Sequence, residues 1–126
     1  MGKPGATGIR RIWNAFFYSL TGIRLAWQHE SAFRQESALA IIMLPVAFWL
    51  GSNVIEYALL IGCVFIVLIT ELLNSAIEAI VDRVGTDHHQ LSGQSKDMAS
   101  AAVLFSVLLT VIVWGMVAWQ KFGMAL

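Results

Sequence analysis

Apolar and polar positions alternate with two different rhythms along the chain. Between Ile9 and Trp27 the apolar residues Ile12, Trp13, Phe16, Phe17, Leu20 and Ile23 recur at helical spacing on one face. Arg10, Arg11, Asn14 and Arg24 lie off that stripe. Aromatics opposite arginines predict a helix over 7–28 lying in a membrane interface, with Thr7 or Gly8 as its cap. The alternative is a soluble amphipathic helix packed on a partner. After the polar tract QHESAFRQES the rhythm changes to long, nearly unbroken apolar blocks, the first being SALAIIMLPVAFWLG. Crossing a bilayer takes about 20 residues. The first span is therefore expected over 32–50, with Arg34 and Glu36 on its opening turns and a kink at Pro45. A turn at Gly51–Asn53 leads into a second helix over 54–84. After the polar stretch GTDHHQLSGQ a third follows over 95–122.

These elements describe an all-α integral membrane protein: three transmembrane helices plus an N-terminal amphipathic surface helix, in a single domain of residues 1–126. Composition agrees, with 58% hydrophobic residues, 13% charged and a mean hydropathy of +0.72. The formal net charge of zero gives no reason to expect a nucleic-acid partner. Cys63 is the single cysteine, so no intrachain disulfide is expected, and it reads as apolar filler. No cleavable signal or myristoylation site is expected at the N-terminus. Seven of the eight Lys and Arg residues fall before residue 35 or between 82 and 97. This asymmetry orients the N-terminus and the second loop toward the cytoplasm and the C-terminus outward.

The second long helix carries an unexpected polar stripe. Glu71, Asn74, Glu78 and Asp82 stand at offsets 0, 3, 7 and 11, which places all four within about 80° on one helical face. A helix over 54–84 is about 46 Å long, against a hydrocarbon core of about 30 Å. Its last turns project into water, leaving Glu71 about 8 Å inside and Glu78 at headgroup level. An ionisable residue at that depth marks function by default, and a carboxylate there is a candidate general base. Glu78 with a second acid such as Glu30 suits Mg²⁺, a hard ion that takes one or two carboxylates plus phosphate oxygens. Lys96 and Asp97 open the third helix on the same side, where an ammonium would neutralise phosphate charge. Structurally, Asn74, Ser75 and Glu71 also suit interhelical hydrogen bonding. His88 and His89 read as solvated loop, and Asp82 with Arg83 as a helix-end charge pair. No Walker A motif or kinase glycine loop is present. Three helices do not enclose such a site, so neighbouring subunits are expected to complete it.

The segments ELLNSAIEAIVDRVG, KDMASAAV and AWQHESAFRQE together resemble the prokaryotic diacylglycerol kinase family over residues 7 to about 122. The resemblance implies a homotrimer with shared active sites in the bacterial inner membrane, transferring the γ-phosphoryl of MgATP to diacylglycerol. By match to the family's motif it implies Glu71 as catalytic base and Asn74 within the active-site stripe. Glu30 and Glu78 would hold the metal. Arg11, Tyr18, Asp87, His88, His89, Lys96 and Asp97 would contact the nucleotide, together with Glu30 and Glu78. Arg34, Glu36, Glu71 and Ser100 would line the lipid side. His88 stands where the family commonly has an aromatic residue. Related enzymes phosphorylate undecaprenol instead, and a non-enzymatic alternative is a small oligomeric transporter using the acidic stripe as an ion path.

Overall fold

The computed structural model describes residues 7–85 and 89–123. It contains helices α1 (Gly8–His29), α2 (Ser31–Leu50), α3 (Val54–Val84) and α4 (Gln90–Ala118), the last running into a π turn at Trp119–Gly123. Helices α2, α3 and the α4–π unit are each long and apolar enough to cross a membrane. The protein is a membrane protein. Helix α1 keeps Ile9, Ile12, Trp13 and Phe16 exposed on one side, as a helix lying in an interface does. It begins at Gly8, whose φ of +61° suits a residue without Cβ.

A single residue separates α1 from α2. Glu30 has extended backbone (φ −118°, ψ 107°) and serves as the C-cap of one helix and the N-cap of the next. Arg34 secures this joint: its Nη1 donates to the Trp27 and Gln28 carbonyls at 2.8 and 3.2 Å. Those are open carbonyls of the last turn of α1. Helix α2 continues through Pro45 to Leu50, although proline removes one bond of the ladder.

The turn at 51–53 is defined by reciprocal capping. Asn53 Oδ1 accepts from Glu56 N at 3.0 Å, while the Glu56 carboxylate accepts from Ser52 N at 3.0 Å and Asn53 Nδ2 at 3.1 Å. Gly51 is required beside it, because a Cβ there would lie 2.6 Å from the Tyr57 ring. Above this turn Ala47, Leu50, Leu60 and Val117 form the buried core, with Leu60 fully enclosed.

Helices α3 and α4 pack along most of their length and are joined by polar rungs. Trp114 Nε1 donates to the Leu60 carbonyl at 3.2 Å, Thr110 Oγ1 to the Cys63 carbonyl at 3.4 Å, and Thr70 Oγ1 to Ser106 Oγ at 3.0 Å. Positions 106, 110 and 114 advance by one turn each, so a single face of α4 supplies all three rungs. In lipid, where apolar burial does not favour helix pairing, such bonds and close packing hold helices together.

The start of α4 corrects the expectation of residue 95. His89 Nδ1 accepts from Leu91 N at 3.1 Å, capping the helix at Gln90. A histidine at this position initiates a turn that the polar composition of 90–94 disguises as loop.

Candidate active site

Glu71 is the centre of the site. It lies within α3 and is only 5% exposed, among residues whose apolar character would otherwise place this helix in lipid. Three further acids lie around it, one on its own helix and two from elsewhere. Glu36, on the second turn of α2, is near enough to Glu71 for the two carboxyls to influence one another. Glu78, two turns on along α3, and Glu30, at the α1–α2 joint, are near enough to act on it through their charge. The extended backbone at Glu30 explains how a residue 41 positions away reaches the stripe. Asn74 sits between, its Nδ2 donating to Glu78 Oε1 at 3.5 Å. Two acceptors in this cluster, Glu36 Oε2 and Asn74 Oδ1, are buried without a donor. Buried acceptors are normally satisfied, so these two mark positions where the described residues supply no donor.

Two separate grooves flank the acidic cluster, one with Glu30 in its wall and the other with Glu36. One, of about 690 Å³, runs between α1 and α3 and is lined by Gly22, Ala26, His29, Glu30, Leu72 and Ser75, among others. The other, of about 300 Å³, lies among α2, α3 and α4, with Glu36, Ala40, Met43, Leu68 and Val107 in its wall. Both are overwhelmingly apolar apart from the acids at their heads, which is chemistry for the chains of a lipid rather than for a polar solute.

At the far end of the stripe Lys96 Nζ lies 2.7 Å from Asp82 Oδ1. The expected helix-end pair of Asp82 with Arg83 is thus replaced by a bridge between α3 and α4, which needs tertiary proximity that helical spacing does not report. Among the other sequence-derived candidates, Arg34 caps α1 and His89 caps α4. Arg11, Tyr18, Asp97 and Ser100 are exposed. Asp87 and His88 lie outside the described residues. The fold therefore gathers Glu30, Glu36, Glu71, Asn74 and Glu78, with Lys96 at the stripe's end.

Among the described residues no three His, Cys, Asp or Glu side chains stand in an arrangement that holds a metal ion by themselves. The carboxylate oxygens of Glu30 and Glu78 are by their chemistry donors for hard rather than soft metal ions.

The family description "Prokaryotic diacylglycerol kinase" matches residues 17–118. A diacylglycerol kinase of Escherichia coli is 49% identical over 117 residues, covering 93% of this chain and 96% of that protein. One from Haemophilus influenzae is 47% identical, covering 86% of this chain and 92% of its own length. One from Helicobacter pylori is 43% identical, with 89% and 88% covered. Identity at this level over nearly the whole chain, with the acidic stripe of α3 inside the matched span, leaves one assignment: the chain belongs to the prokaryotic diacylglycerol kinase family.

Proposed function

We propose that the protein is an ATP-dependent diacylglycerol kinase of the bacterial inner membrane. It works as a homotrimer with shared sites, its N-terminus cytoplasmic and its C-terminus periplasmic. The observation that carries this reading is the buried carboxyl of Glu71 within a membrane-spanning helix, under the influence of Glu30, Glu36 and Glu78, with apolar grooves beside Glu30 and Glu36. A lipid hydroxyl lies just below the headgroups while ATP stays in water, so the catalyst spans that boundary. The α3 stripe does so in about three turns.

Glu71 accepts the proton of the diacylglycerol 3-hydroxyl as its oxygen attacks the γ-phosphorus. The bond from that phosphorus to the β–γ bridging oxygen breaks, and phosphatidic acid and ADP result. Asn74 braces Glu78 through its side-chain amide and leaves its own carbonyl oxygen as a free acceptor. Glu30 and Glu78 would hold Mg²⁺, which when bound neutralises charge on the β- and γ-phosphates. Lys96 and Asp97, on the second turn of α4 and just after it, Arg11 and Tyr18 on α1, and the 87–89 stretch would meet the nucleotide. Arg34, Glu36 and Ser100 support the lipid side.

The test is phosphoryl transfer. Purified protein in mixed micelles receives labelled MgATP with either diacylglycerol or undecaprenol. Label in phosphatidic acid is expected. Label only in the polyprenol would change the acceptor, and label in neither would refute the kinase reading in favour of a non-enzymatic role for the acidic stripe.

A further inference from the structure

We infer that Asp82 is a positioning residue for the nucleotide and acts through Lys96; this rests on the role proposed above for Lys96. The Lys96–Asp82 bridge is the one ion pair among the described residues. It joins the last turns of α3 to the second turn of α4. Both side chains remain substantially exposed, at 41% and 65%. Burial does not require the pairing, since both groups are accessible to water. What it does is fix a long, flexible side chain. A lysine ammonium on its four-carbon stem has many rotamers to lose when it meets a phosphate. Asp82 uses one of its three N–H donors and leaves the other two free. The ammonium is thereby held at the end of the carboxylate stripe, near enough to Glu78 to feel its charge, beside the residue proposed to hold Mg²⁺. Glu71, Asn74, Glu78 and Asp82 then form one functional row: proton acceptor, brace, metal ligand and lysine holder.

The experiment is a titration of MgATP with the full-length protein in mixed micelles at saturating diacylglycerol. Asp82→Ala is expected to raise KM for MgATP about threefold to fivefold, the range an exposed pair supports, with kcat changed less than about twofold. Asp82→Asn keeps an acceptor oxygen and should fall between the two. In a Lys96→Ala background, Asp82→Ala should add nothing. An unchanged or lowered KM in Asp82→Ala would overturn the inference, as would an equal effect of that change with and without Lys96. Should Asp82→Ala fail to fold, Asp82→Asn carries the test: a KM raised by less than in Lys96→Ala supports the inference, and an unchanged or lowered one overturns it. Lys96→Ala with unchanged KM refutes the assigned role of Lys96 and the inference with it. Raised KM in Lys96→Ala without any effect of Asp82→Ala refutes the inference alone.

Discussion

Removing the three polar rungs between α3 and α4 should loosen the subunit without touching its chemistry. The perturbation is Ser106→Ala, Thr110→Val and Trp114→Phe in one chain. Interhelical hydrogen bonds in lipid average about 0.6 kcal/mol and reach about 1.7. Two of the rungs have fallback partners within their own helices, which keeps them near the lower figure. Thr70 Oγ1 also donates to the Val67 carbonyl and Thr110 Oγ1 to the Ser106 carbonyl. Trp114 Nε1 donates only to Leu60 across the interface, so Trp114→Phe should be the largest single change, about 1 kcal/mol. Together the three should cost about 2 kcal/mol, a shift of about 30-fold in the folded-to-unfolded ratio. The assay is reversible unfolding by dodecyl sulfate in mixed micelles, followed by circular dichroism, with kcat measured on the folded fraction. A triple variant within about 0.5 kcal/mol of its parent would refute the role given to the rungs, as would a fall in kcat on that fraction.

Leu60→Ala empties the one fully enclosed large side chain of the core formed with Ala47, Leu50 and Val117. Leucine-to-alanine changes in aqueous cores cost about 2–5 kcal/mol, and in lipid the transfer part falls away, leaving about 1–3 by the same dodecyl sulfate titration; a loss below about 0.5 would mean that the site collapses around the void. Asn53→Ala removes the oxygen that accepts from Glu56 N and should cost about 1 kcal/mol in that titration, with no change in KM for either substrate; an unaltered midpoint would show the cap to be dispensable. Glu78→Ala should raise the Mg²⁺ concentration needed for half-maximal rate, and an unaltered Mg²⁺ dependence would count against a metal role for Glu78.

Helical periodicity was enough to read the class of fold and the central stripe. The apolar blocks and the aromatic face of α1 are local patterns, and Glu71, Asn74 and Glu78 share a face by spacing alone. Contacts between elements were another matter. The Asp82–Lys96 bridge joins residues 14 apart, and neither neighbourhood announces the other. Glu36 reads as one acid of a polar tract until α2 is laid against α3, which brings it to Glu71. Glu30 owes its place to a one-residue joint that the polar run 28–37 conceals. His89, grouped with a solvated loop, caps α4 because the ring nitrogen lies 3.1 Å from Leu91 N, a matter of local geometry that composition does not encode. Asn74, which spacing alone leaves open between site residue and interhelical glue, donates its amide to Glu78 on its own helix.

The role of Glu71 as general base is tested most directly by the rate of phosphoryl transfer in Glu71→Gln at saturating MgATP and diacylglycerol. Glutamine keeps the size of the side chain and one acceptor oxygen but does not take up the hydroxyl proton. General-base catalysis contributes about 10²–10⁴ in rate, so kcat should fall by that factor, with KM for MgATP within about twofold of the parent and folding intact. A Glu71→Gln variant that retains kcat within about tenfold of the parent would contradict a proton-accepting role for this carboxylate.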